Sequence, residues 1–434
     1  MNSAVRHAMK NAARNEKRLT VGYISTYLPR KCGLATFTVD LVSAVSKLDG
    51  LGEPHVVAIA GPGQSPRDYL VSASCIDGDG GYANPVKLVI NQDSYGDHLR
   101  AASFFNESAV DVVSVQHEFG IYGGHCGRYV LDFIEALKKP FVVTLHTVMP
   151  RPHSKYAGII RRIAGAADAV VIMNPLAAEI LERDYLVETT DNVRFIHHGV
   201  PGSCGLQPHE AKKLLGLEGR FVISTFGLIN RGKGLEYAIR AVARAKKDIP
   251  NLTYLILGQT HPNIIKTEGE SYRAEIQALV RELGVDEHVM FVDRFLDQQE
   301  LICYLLASDI YMTPYLNPDQ VVSGTLAYAV GLGTPVVSTP YLYARAMAQQ
   351  GVALMVPFRD SDKLADAIVR LALDEDMRAR MVHRALRLGK AMTWENVARS
   401  YVRLFEEVKG GQVEAADEYG DTGKHREAGE LVAS

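Results

Sequence analysis

The chain has 434 residues, 47% of them hydrophobic, which is more than one compact core holds, so two domains of roughly 190 residues are expected. Its net charge of −3, from 47 Lys and Arg against 50 Asp and Glu, excludes a chain-wide field for nucleic acid. Cys32, Cys75, Cys126, Cys204 and Cys303 show no CxxC or other metal spacing, which argues against a disulfide framework, nominates no metal site and suits a reducing, cytoplasmic compartment.

Residues 1–18 carry Arg6, Lys10, Arg14, Lys17 and Arg18 against Glu16 alone, and read as a solvated basic extension with at most a peripheral contact to a membrane. No apolar run reaches the eighteen residues of a membrane span. From Leu19 short apolar runs alternate with amphipathic segments. LTVGYI is followed by a helix over 34–48, HVVAIA, KLVI, a helix near 98–107, DVVSV, a helix near 128–137, PFVVTL, a helix at 159–166, AVVIM, one at 175–182, and VRFI. Strands of four to six apolar residues separated by helices predict a parallel sheet covered on both faces, with ligands at the carboxyl ends of its strands.

The polar cluster His197-His198-Gly199-Val200-Pro201-Gly202 reads as a linker, after which the alternation restarts. FVISTF, a helix over 234–246, LTYLIL, one long helix ending near Leu283, HVMFV, a helix at 301–307, DIYMTPY, a helix before GTPVVST, VALMVP and helices from Asp362 predict a second α/β domain. The expected organisation is 19–200 for the first domain, 201–392 for the second, a last helix over 393–409 crossing back to the first, and a disordered tail over 410–434. The fold class is therefore α/β, two Rossmann-like doubly wound domains facing across a cleft.

Several groups fall at strand ends. Gly33 lies in the turn after the first strand and lets a backbone approach a ligand. His117, Glu118 and His146 follow two neighbouring strands and are expected to meet at one pocket, the alternative for each histidine being a structural hydrogen bond. In the second domain Gly232 and Gly234 flank Lys233 at a helix start, without the GxxxxGK[ST] frame of an ATPase, so a bound diphosphate is favoured over hydrolysed ATP. His261 and Arg294 end the next two strands. Ser323-Gly324-Thr325 open an apolar helix, which is either a phosphate pocket or an ordinary capped helix start.

In their order along the chain, TLHT at 144–147, IHHGV at 196–200, FGLINRGKG at 226–234, ASDIYMTPY, GLGTPVVST and TWENVARSY resemble glycosyltransferase family 4, retaining enzymes of the GT-B fold. The resemblance covers roughly residues 19–409 and implies a cytoplasmic hexosyltransferase-like enzyme. Its co-substrate is a nucleotide sugar, its acceptor is a saccharide or glycoconjugate hydroxyl, and it needs no cofactor and no metal. It implies that Gly33 approaches the donor diphosphate, that His146 supports catalysis beside the sugar, and that Lys233 binds the diphosphate. Arg231 is then a candidate second cation, because Leu228 stands where the family usually has arginine. Counting back from Gly333-Thr334-Pro335, Gln320 and Tyr328 occupy the places of the two usual glutamates, marking a divergent subgroup. Two other readings remain: a GT-B nucleotide-sugar epimerase or hydrolase, and a non-catalytic nucleotide-sugar binding protein.

Overall fold

The computed structural model describes residues 18–72, 84–189, 192–203 and 205–411. Most of the expected basic extension and nearly all of the expected disordered tail lie outside the described residues. The contacts divide the chain into two units. One runs to His197 and resumes at Trp394, and the other is His198–Thr393.

The first unit is a seven-stranded sheet in the order β3-β2-β1-β4-β5-β6-β7. Its strands are β1 (Val21–Ser25), β2 (His55–Ala60), β3 (Val86–Asn91), β4 (Val112–His117), β5 (Phe141–Leu145), β6 (Ala169–Ile172) and β7 (Val193–Phe195). All neighbours pair in parallel. The connecting helices are α1 (Gly33–Ser46), α2 (Pro66–Ser72), α3 (Tyr95–Glu107), α4 (Tyr129–Ala136), α5 (Ser154–Ala166) and α6 (Leu176–Tyr185). Every residue of β1, β4, β5 and β6 is buried, as a sheet covered on both faces requires.

The second unit repeats the plan with six strands in the order β10-β9-β8-β11-β12-β13. These are β8 (Phe221–Phe226), β9 (Leu252–Leu257), β10 (Val289–Val292), β11 (Ile310–Thr313), β12 (Val336–Ser338) and β13 (Ala353–Met355). Its helices are α7 (Pro208–Leu214), α8 (Leu235–Ala245), α9 (Pro262–Glu268), α10 (Ser271–Glu282), α11 (Gln298–Leu306), α12 (Gly324–Gly331), α13 (Leu342–Gln349), α14 (Ser361–Leu373) and α15 (Glu375–Met392). Successive strand residues feed opposite cores. Ile223, Ile256 and Met312 pack with α8, α10 and α14 on one face, while Val222, Leu257 and Tyr311 pack with α12 and α13 on the other.

The last helix, α16 (Trp394–Gly410), belongs to the first unit, where it packs on α1, β4 and β5. Trp394 meets Phe37 at a ring distance of 5.2 Å, Tyr401 Oη lies 3.0 Å from Thr144 Oγ1, and Lys409 pairs with Asp111 at 3.1 Å. No described helix is long and apolar enough to cross a membrane.

The short helices α2, α7 and α13 are absent from the sequence expectations. The single long helix expected before Leu283 is two, α9 and α10, parted at Gly269, whose φ of +62° takes the left-handed conformation that ends helices. In both sheets the order reverses once, between β1 and β4 and between β8 and β11. At such a switch point adjacent connections leave toward opposite faces, and the carboxyl ends open a crevice where ligands of this fold class bind.

Candidate functional site

In the second unit three segments converge at the switch between β8 and β11. The segment after β8 runs through Gly227 into a tight turn, Arg231–Lys233, and then Gly234. Gly234 has φ +62°, and a Cβ there would lie 2.2 Å from the Pro314 carbonyl oxygen. Only glycine fits, so the lysine loop is pressed against the end of β11. Lys233 Nζ donates to Tyr315 Oη at 2.6 Å and stands 4.0 Å from the centroid of the same ring. A Cβ on Gly227 would be 3.2 Å from Lys233 Nζ and 3.3 Å from Thr325 Cγ2, so lysine, glycine and threonine surround one spot.

The third segment is the start of α12. Ser323 caps it, its Oγ accepting from Leu326 N at 3.3 Å, and Thr325 Oγ1 lies 2.9 Å from Tyr315 Oη and 3.1 Å from Ser323 Oγ. The helix start is capped in the ordinary way, and a cation stands beside it. The first N–H groups of a helix have no intrahelical partner and carry the positive end of its dipole. Such an end beside a lysine binds phosphate or carboxylate.

The other predicted residues of this unit are placed less centrally. Arg231 is gripped by Glu275 at 2.7 Å through two nitrogens and by Glu268 at 3.3 Å, with its guanidinium 5.1 Å from the Tyr272 ring centroid. Its charge is thus already matched by two carboxylates from α9 and α10. Lys233 has no carboxylate in salt-bridge range among the described residues. Arg294 forms a two-nitrogen pair with Glu300 at 2.5 and 2.6 Å. His261 stands before α9, its backbone N–H donating to Ile229 O at 2.9 Å. Gln320 folds back on its own loop, Nε2 donating to Val322 O at 3.1 Å. Tyr328, 8% exposed, packs within the core under α12, near Phe226 and His198.

His198, read from sequence as linker, proves to be part of this assembly. Its Nδ1 lies 2.7 Å from Gly199 O, and a Cβ on Gly324 would approach its Nε2 to 3.1 Å. Burial pulls its pKa down to about 4, so the ring against the helix start is neutral at pH 7.

In the first unit the register Gln116↔Thr144 and His117↔Leu145 decides which groups meet. Paired residues of parallel strands point to the same face, and neighbours along a strand to opposite faces. His146 therefore shares a face with Gln116, whose Oε1 accepts from its Nε2 at 2.9 Å, and with Phe37, whose ring lies edge-on at 4.8 Å. Glu118 takes Thr147 Oγ1 at 2.5 Å and the Phe119 N–H at 2.9 Å, and burial raises its pKa. His117 points the other way, fully buried between Tyr122, stacked at 6.0 Å, and Phe119, edge-on at 4.9 Å. The expected meeting of His117 with His146 is thus corrected by the pleat. Gly33 is the first residue of α1, and a Cβ there would meet no atom within 4 Å, so internal packing does not require a glycine.

Among the described residues neither ring nitrogen of His117 has a hydrogen-bond partner, and burial lowers its pKa to about 3. An unfolded histidine takes up a proton near pH 6.5 and the folded one only near 3. The unfolded state binds more protons throughout that window, so stability falls as pH drops from about 6.5 toward 3. His117→Phe removes this loss. Thermal denaturation at stepped pH should show an unchanged or higher midpoint at pH 7 and a shallower decline below about pH 6. A decline as steep as wild type would show that His117 does not titrate as its burial demands.

The Glycosyltransferase Family 4 model matches residues 32–202, and the Glycosyl transferases group 1 model matches 207–387, so each unit is matched in turn. The chain belongs to glycosyltransferase family 4. This family 4 enzyme is 23% identical, over 88% of its length and 92% of the relative's, to a phosphatidyl-myo-inositol mannosyltransferase of Mycolicibacterium smegmatis. It is 28% identical to a D-inositol 3-phosphate glycosyltransferase of Corynebacterium urealyticum, over 42% of each chain. A Corynebacterium jeikeium protein of the same description is 28% identical over 57% of this chain and 59% of that one. The chain thus matches about half the length of those two relatives. A glycosyltransferase from Rickettsia africae superposes with a TM-score of 0.69 at 15% identity, covering 90% of this chain and 98% of that one. HepE of Anabaena, in complex with UDP and glucose, superposes at 0.65 with 14% identity, covering 90% and 100%. At such identities the likeness shows the fold, which is GT-B. The two Rossmann-like units of this family 4 chain are those of that fold.

Proposed function

We propose that the protein transfers a sugar from a nucleotide-sugar donor to a hydroxyl of a saccharide or glycoconjugate, with the anomeric configuration retained. The observation that carries this reading is the placement of the Lys233 ammonium beside the start of α12 at the β8/β11 switch. As the bond from the anomeric carbon to the diphosphate breaks, charge grows on the departing oxygens. A fixed cation and fixed N–H dipoles aimed at developing charge lower that barrier more than most other devices. Lys233 and the N–H groups of Gly324 and Thr325 take the diphosphate, the acceptor oxygen bonds to carbon on the face the diphosphate leaves, and its proton passes to a leaving phosphate oxygen.

In this reading Lys233 supplies the positive charge that a metal ion or cofactor would otherwise bring to the diphosphate. To His146 we assign the catalytic part that the family resemblance implies; its ring is held by Gln116 and Phe37. Gly33 is assigned to donor approach, and Gln320 and Tyr328 to a donor grip that uses no carboxylate. Arg231 serves in this reading as a tether, holding the lysine loop to α9 and α10 through Glu268 and Glu275. The scattered cysteines favour a cytoplasmic reaction. The inositol compounds named for the relatives head the acceptor panel.

The test is a thermal-shift screen across nucleotide sugars, followed by product analysis with the best donor. A ligand bound only by the folded state, at a hundred times its Kd, stabilises by about 2.7 kcal/mol. Proton coupling at the anomeric carbon of the product then reports its configuration. An inverted product would remove the retaining assignment, and donor consumption without an acceptor would favour a hydrolase or epimerase. His117 cannot join His146 in proton transfer, which already weakens that alternative.

A further inference from the structure

Lys233 is held twice by one side chain. Its ammonium donates to Tyr315 Oη at 2.6 Å and lies 4.0 Å from the centroid of the Tyr315 ring. Tyr315 is itself fixed: it is 2% exposed and stacks on Tyr341 at 5.4 Å with planes 16° apart. An ammonium can only donate, so the phenol oxygen accepts from it, and the same oxygen is hydrogen-bonded to Thr325 Oγ1, 2.9 Å away. Thr325 Oγ1 in turn lies 3.1 Å from Ser323 Oγ, the same oxygen that caps α12. A run of three hydroxyls therefore joins the cation to the helix start.

A lysine has four flexible bonds, and one left free in a loop would have to be immobilised each time a ligand bound. Here the immobilisation precedes the ligand. We infer that Tyr315 is the positioning residue of the donor half: its ring face and oxygen aim the Lys233 ammonium and tie it to the start of α12, so that cation and helix N–H groups form one preformed receptor for a diphosphate. This rests on the reading of Lys233 as the diphosphate lysine. Tyr315 does not itself touch the diphosphate. It acts through Lys233, and losing it should matter only while the lysine is present.

A double-mutant cycle on the full chain separates this from a merely structural tyrosine. Calorimetric titration with pyrophosphate, UDP, GDP and ADP selects the tightest probe for wild type. The same probe is then titrated into Tyr315→Phe, Tyr315→Leu, Lys233→Ala and Lys233→Ala/Tyr315→Phe, with melting curves confirming that each is folded. Tyr315→Phe keeps the stacked ring and loses only the oxygen. It should bind about tenfold more weakly, the scale of a hydrogen bond to a charged group, and Tyr315→Leu more weakly again. In the Lys233→Ala background Tyr315→Phe should change affinity by less than about twofold. Equal losses in both backgrounds, or a Tyr315→Phe affinity equal to wild type, would overturn the positioning role while leaving the lysine assignment intact. If Lys233→Ala binds the probe as tightly as wild type, or wild type binds none of the four, the diphosphate reading falls and this inference with it.

Discussion

Lys233→Ala is expected to lower kcat/KM for glycosyl transfer by roughly 10²- to 10³-fold, the loss seen when one fixed donor to a developing anion is removed. Most of the fall should appear in kcat, because the charge that Lys233 meets is largest when the bond to the diphosphate is breaking. The melting temperature should move by less than about 3 °C, since the side chain is only partly buried and its contacts are those with Tyr315. Steady-state rates with the donor found by screening, set beside a melting curve, check both halves. A folded variant with near wild-type turnover would remove Lys233 from the site.

The second large effect is on stability. Gly389 of α15 lies against Gly331 at the end of α12: a Cβ on Gly389 would sit 2.4 Å from the Gly331 carbonyl oxygen and 3.0 Å from its carbon. In an exposed helix interior, alanine in place of glycine would stabilise by up to about 1 kcal/mol. Here the obstacle is backbone, which cannot rotate aside. Gly331 is confined in turn, because its own Cβ would meet Val200 at 2.4 Å. Gly389→Ala is therefore expected to destabilise by about 2–3 kcal/mol net, lowering the melting temperature by roughly 5–10 °C for a unit of this size. The other end of α12 carries Ser323 and Thr325, so donor affinity should fall as well. Scanning calorimetry decides it. A midpoint within about 1 °C of wild type would mean that the two helices part without cost.

The strands were legible because both faces of each sheet are covered, which leaves near-continuous apolar runs such as HVVAIA and LTYLIL. Lys233 was legible because its glycines and the helix start are neighbours in sequence. What was not legible depends on register and on distant partners. Whether His117 or Gln116 faces His146 turns on a one-residue offset between β4 and β5 that no local pattern reveals. Arg231 reads as a free cation until Glu275, on a helix far along the chain, is brought beside it. Tyr315 showed only as the last aromatic of a strand end; its hold on Lys233 exists because the β8 and β11 loops are neighbours.

Helix α16 sets an order of events for the newborn chain. The first unit is closed by residues from Trp394 onward, which are made only after all of His198–Thr393. At 5–20 residues per second the ribosome leaves the first sheet without this helix for on the order of ten to forty seconds. During that wait the side of β4 and β5 that later receives Tyr401, together with Phe37 on α1, lacks its cover. The second unit is a single uninterrupted stretch and has no such wait. It is made later yet is free to reach its native state without that delay, whereas the earlier-made unit keeps this face uncovered until its last helix arrives.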